Sequence, residues 1–93
     1  MHEEIPRDLL HTVVAEYEAR PYRELAGLIG EPDVRTVRGR DGREYQIEVE
    51  AIWHDQPGGT IRVVGAIDDG SLPSLPLSEE FLATPEGKFI SES

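Results

Sequence analysis

Residues 43–68 read REYQIEVEAIWHDQPGGTIRVVGAID, and their pattern decides the fold. Tyr45, Ile47, Val49, Ala51 and Trp53 alternate with Glu44, Gln46, Glu48 and Glu50. A period of two with one apolar set and one charged set predicts a strand with a buried face and a wet face. After Asp55-Gln56-Pro57-Gly58-Gly59 the alternation resumes at Ile61, Val63, Gly65 and Ile67. Setting His54 opposite Thr60 pairs Trp53 with Ile61, Ala51 with Val63, Val49 with Gly65 and Ile47 with Ile67. All the large apolar residues of that set then share one side, and a one-residue slip would turn them all outward.

Upstream, Asp41-Gly42 predicts a two-residue hairpin turn with positive φ at both positions. The strand before it, residues 33–40, then places Arg40 against Arg43, Arg38 against Tyr45, Thr36 against Ile47 and Val34 against Val49. Val34 and Thr36 join the buried face, and Arg35 meets Glu48 on the wet one. Strands 33–40, 43–54 and 60–68 form an antiparallel meander.

The apolar face needs a cover. Leu9, Leu10, Val13, Val14 and Tyr17 make one stripe of a helical wheel, predicting an amphipathic helix over residues 6–19. Pro6 suits its first turn and Pro21 breaks it. Tyr22, Leu25, Ala26 and Ile29 make a second stripe, so a short helix follows at 21–29, with Gly30 as a left-handed cap.

Beyond the meander, Asp68-Asp69-Gly70-Ser71 predicts a turn, and Pro73 and Pro76 keep Leu72–Leu77 extended. Leu75–Leu77 is expected to form an edge strand or a strap, and Ser78-Glu79-Glu80 a helical turn. Phe81-Leu82 and Phe89-Ile90 flank Thr84-Pro85-Glu86-Gly87, a turn signature that predicts a small hairpin or folded-back strap. The fold class expected is α+β: an N-terminal helix, kinked or broken near Pro21, on one face of a 3–4-stranded antiparallel meander. Residues 1–93 form a single domain, with 1–5 and 91–93 frayed.

The chain has no cysteine, which excludes disulfides and thiolate metal sites. Its net charge of −10 opposes nucleic acid and anionic membranes and favours basic partners. No apolar run approaches the ~20 residues of a membrane-spanning helix. The acidic start Met1-His2-Glu3-Glu4 lacks the features of a secretory signal, so a cytoplasmic location is expected. Eight of the nine basic residues are arginine, a bias that fits a GC-rich genome. The closing pattern Pro76-Leu77-Ser78…Phe81…Pro85-Glu86-Gly87-Lys88-Phe89 resembles small bacterial proteins and brings no residue role with it.

Three constellations carry chemistry. Arg35, Arg38, Arg40 and Arg43 gather four arginines around one hairpin tip, and such a group could grip an anion. The plainer reading is that Glu44, Glu48 and Asp41 neutralise them and that they protect a sheet edge. His54-Asp55 could bind metal or shuttle protons, but no third ligand falls beside it, and an exposed loop histidine is the favoured reading. Asp68-Asp69-Gly70-Ser71 lacks the ligand spacing of a calcium loop. Neither a serine nucleophile elbow nor a phosphate-binding glycine loop is present. No cofactor is expected.

Ile52, Val64 and Ala66 fall on the wet face, and Trp53 sits at the strand end as a core plug or an interface anchor. The expected function is therefore a non-catalytic protein-binding module. It would act through Ile52, Val64, Ala66 and Trp53 on a basic partner or a second copy. One alternative is a ligand carrier or small enzyme with a site near Tyr17, Tyr22 and Trp53. The other is an anion or nucleic-acid contact through the arginine hairpin.

Overall fold

The computed structural model describes residues 4–68, 77–86 and 89–92. In order, the elements are α1 (Glu4–Glu18), α2 (Tyr22–Ala26), β1 (Asp33–Arg38), β2 (Glu44–Trp53), β3 (Ile61–Asp68), β4 (Leu77–Ala83) and β5 (Phe89–Glu92). The strands form one antiparallel sheet in the order β1-β2-β3-β4-β5. This is the α+β architecture expected, with α1 lying mainly over β4 and β3. Among the described residues, no helix is long and apolar enough to cross a membrane.

The core follows the alternation. Tyr45, Ile47, Val49 and Ala51 of β2, Ile61, Val63 and Ile67 of β3, and Phe81 and Ala83 of β4 are buried. They meet Leu10, Val13, Val14 and Tyr17 of α1, together with Leu25 and Leu28 around α2. The β2–β3 register has Trp53 opposite Ile61 and Ile47 opposite Ile67, as the sequence predicts. Gly65 lies under α1, and a side chain there would collide with Val14.

The β1–β2 register differs from expectation by one residue. Val37 pairs with Tyr45, Arg35 with Ile47 and Val34 with Glu48. The cause is the turn. Gly39 N–H donates to the Arg43 carbonyl at 2.9 Å, and Gly42 N–H donates to the Gly39 carbonyl at 3.0 Å. Residues 40–42 thus form a three-residue loop, and only Gly42 has positive φ, at 83°. That is the geometry of a type I turn closed by a bulged glycine, which shifts pairing by one relative to a two-residue turn. Every side chain of β1 changes face: Val34 and Thr36 are exposed, while Asp33, Arg35 and Val37 turn toward the helix layer.

Two further expectations are corrected. Ser78-Glu79-Glu80 is not a helical turn but part of β4, with Glu79 opposite Gly65. Helix α2 ends at Ala26 with Gly27 in right-handed helical conformation as its cap, although Gly30 does have the left-handed φ, 82°. The turn and strap predicted from Asp69 to Pro76 lie outside the described residues. A β4–β5 pairing, with Ala83 opposite Phe89, realises the terminal hairpin.

Candidate interaction surface

The sheet has one face under the helices and one without a covering layer among the described residues. The strand pairings fix what lines the outer face. One row runs Val34, Glu48, Ala66, Ser78, and another Ile52, Arg62, Leu82. Between them lie Glu50, Val64 and Glu80. Ile52 is 50% exposed and Val34 60%, the two large apolar side chains that stand out in solvent among the described residues. Val64 and Ala66 are half-buried by their neighbours. Leu82 also belongs to this face by parity, yet it is only 8% exposed and is not part of the core cluster.

Charge on this face is mostly acidic. Arg62 donates through one nitrogen to both carboxylate oxygens of Glu80, at 3.0 and 2.9 Å. Its other terminal nitrogen lies 3.2 Å from His54 Nδ1. With arginine donating, Nδ1 accepts, and the ring proton sits on Nε2. Arg38 meets Glu44 at 3.4 Å. Glu48 and Glu50 have no ion pair among the described residues. They stand at the middle of the face, between Val34 and Ile52.

Trp53 does not share this surface. Its parity puts it on the helix side, partly buried against the core. The four residues grouped from the sequence thus divide into three on the outer face and one on the inner. Val34 and Leu82 belong with the three. Val34 was hidden by the register of its strand. Leu82 could have been found from the alternation with Phe81 and Ala83, had that segment been read as a strand.

The arginine hairpin is spread over both faces. Arg35 turns inward and reaches Glu16 of α1 at 2.9 Å, rather than Glu48. That carboxylate raises the already high pKa of the guanidinium. Arg40 lies 3.8 Å from Asp8, also on α1. Tyr17 donates to Asp33 at 2.8 Å, and Arg20 sits 4.1 Å above the Tyr17 ring. Strand β1 and helix α1 are therefore joined by a polar seam. Each exposed pair in it contributes only ~0.2–1 kcal/mol, but together they engage Arg35 and Arg40 of the hairpin on α1.

His54 and Asp55 do not act together. Asp55 folds its carboxylate into its own loop, accepting from the N–H groups of Gln56 at 2.6 Å and Thr60 at 3.0 Å. Those bonds, the Gln56 one first, hold its carboxyl below the usual range. His11 of α1 meets Glu79 of β4 at 3.3 Å. Among the described residues no three metal-ligating side chains converge.

The carrier or enzyme site expected near Tyr17, Tyr22 and Trp53 has its hydroxyls engaged. Tyr17 is tied to Asp33, and Tyr22 donates to the Gly59 carbonyl at 2.6 Å. Among the described residues no buried side-chain nitrogen or oxygen lacks a partner. No protein-family model matches the chain, and no curated protein or solved structure matches it.

Proposed function

We propose that this chain is a non-catalytic protein-binding module of the cytoplasm that docks through the outer face of its sheet onto a basic, partly apolar surface. The observation that carries this reading is the placement of Glu48 and Glu50, without ion pairs among the described residues, between exposed Val34 and Ile52. Carboxylates at the centre and apolar side chains beside them suit lysine or arginine stems, which cover apolar surface while their heads reach the acids. The net charge of −10 adds long-range attraction for such a partner and repulsion for nucleic acid. The cysteine-free composition accords with a reducing compartment.

The test is an NMR titration of isotope-labelled protein with a peptide alternating lysine and leucine. Amide shifts centred on Glu48, Glu50, Ile52 and Val64 are expected, weakening as salt rises. Glu48→Gln with Glu50→Gln, and separately Ile52→Asp, should each reduce affinity about tenfold, the size of one lost contact of ~1.4 kcal/mol. Shifts confined to the helices, or binding unchanged in both variants, would exclude this face.

A further inference from the structure

Among the described residues strand β1 ends the sheet on one side and pairs with β2 alone. The Gly39 to Arg43 hydrogen bond fixes which backbone groups are used. In an antiparallel ladder the bonded residues alternate, so Val37, Arg35 and Asp33 point their N–H and C=O groups at β2. Val34, Thr36 and Arg38 therefore point theirs away from the sheet. No hydrogen bond among the described residues takes them.

Natural edges are guarded by proline, bulges or inward charges. The run Asp33–Arg38 has neither proline nor bulge within it. Its inward charges are engaged on the helix side, Arg35 with Glu16 and Asp33 with Tyr17 and Arg20. Among the described residues nothing pairs with this edge, and its sequence is complementary to itself.

We infer that β1 pairs with β1 of a second copy of this chain, antiparallel, about a two-fold axis at Thr36, and so joins two sheets into one. In that register Thr36 faces Thr36, Val34 faces Arg38 and Arg35 faces Val37. Every valine meets the aliphatic stem of an arginine, and the threonines form a favourable cross-strand pair. Sliding the axis to Arg35 sets two guanidiniums opposite each other and brings Pro32, which has no N–H, against Arg38. Sliding it to Val37 carries residues 33–35 past the end of β1 against the 40–42 turn, so that only Thr36, Val37 and Arg38 pair strand to strand. Charge rules against the Arg35 register and strand overlap against the Val37 one, which leaves Thr36.

The outer face gives a second reason. In one row of the joined sheet, Glu48 is followed by Val34 and then by the second copy's Arg38. That guanidinium can cross Val34 to the Glu48 carboxylate, which has no ion pair among the described residues, and its stem covers the 60% exposed valine. The existing Arg38–Glu44 contact, 3.4 Å with side chains 69% and 64% exposed, is too weak to prevent this. The inference shares Val34 and Glu48 with the docking face proposed above but rests on the strand edge, and Glu50, Ile52 and Val64 stay open in the joined sheet, so either can fail alone.

The register is testable by crosslinking because the chain has no cysteine of its own. In Thr36→Cys the two thiols face each other across the axis, with Cα atoms about 5.5 Å apart, within disulfide range. In Val34→Cys the two copies lie ~13 Å apart along the strand. Under a mild oxidant Thr36→Cys should form a covalent dimer at least about tenfold faster than Val34→Cys. Wild-type protein should sediment as a dimer. Thr36→Pro, which deletes an outward N–H that an edge strand can spare, should sediment as a folded monomer. Should that variant unfold, Val34→Lys, which sets like charges opposite, serves instead. Ile52→Asp should leave the dimer intact even where it weakens peptide binding. A wild-type monomer up to about 1 mM, a dimer that survives both edge variants, or equal crosslinking at positions 34 and 36 would overturn the inference.

Discussion

Gly65 lies directly beneath Val14: a methyl group at Gly65 would stand 2.9 Å from Val14 Cγ2 and 3.3 Å from Leu10 Cδ1. Helix α1 can settle onto β3 because this position has no side chain. Val14 is β-branched and stiff, so it cannot swing aside cheaply. Gly65→Val should destabilise the fold by ~1–3 kcal/mol through overpacking. That corresponds to a fall in Tm of very roughly 5–20 °C for a domain of this size, read by circular dichroism. Gly65→Ala should show the same direction with a smaller fall.

Tyr17 fastens the C-terminal part of α1 to the start of β1 through its hydrogen bond to Asp33. Tyr17→Phe should cost ~0.5–1.5 kcal/mol in denaturant titration, the value of one such bond. Burial, then the Asp33 bond, raises the Tyr17 pKa above its ordinary 10.0. The unfolded chain therefore releases this proton first. The phenol's stabilising contribution is complete below about pH 10 and is lost as pH rises through the higher folded value. The stability gap between wild type and Tyr17→Phe should narrow in strong alkali.

Gly42 occupies the left-handed region, φ 83°, at the bulge of the β1–β2 loop. Gly42→Ala should destabilise by ~1–2 kcal/mol, the cost of that conformation for an ordinary residue. Gly42→Asn should cost visibly less, since asparagine tolerates the region. Equal losses in the two variants would argue against the three-residue loop.

That loop also marks where the sequence stopped being decisive. The β2–β3 pairing was legible because Ile47, Val49, Ile61 and Val63 fit only one parity. In β1 the two possible inward sets are Val34, Thr36, Arg38, Arg40 and Asp33, Arg35, Val37, Gly39, each a mixture of apolar and polar residues. Asp41-Gly42 fits a two-residue turn and a three-residue one. The choice falls to tertiary contacts. Gly39 sits in a crowded inward position, where a side chain would approach Ile5 and Tyr45. Arg35 and Asp33 find partners on α1. None of these partners is adjacent in sequence. The outer-face residues Ile52, Val64 and Ala66 were visible from alternation alone, whereas Val34 needed the register.

Asp55 caps the β2–β3 loop from inside, and hydrogen bonds from Gln56 first and Thr60 next lower its pKa below the ordinary 3.8. The unfolded chain takes up this proton at higher pH than the folded one. The carboxylate's contribution is complete above the unfolded value and disappears as pH falls through the folded one. Asp55→Ala should therefore be less stable than wild type at neutral pH, and the gap should close as the pH falls through the folded value. A gap that persists in acid would assign the effect to packing. Asp41, lowered chiefly by the Tyr45 hydroxyl, should titrate in the same direction.

Each strand of the meander pairs with its neighbour in the chain, so the hairpins close over short distances and can zip early. The exception is the seat of α1 on β3 and β4, which joins the beginning of the described chain to its later part. During synthesis helix α1 leaves the ribosome before β4, and its apolar stripe stays uncovered until Phe81 has followed it out. One long closure therefore decides when the stripe Leu10, Val13, Val14 and Tyr17 leaves water.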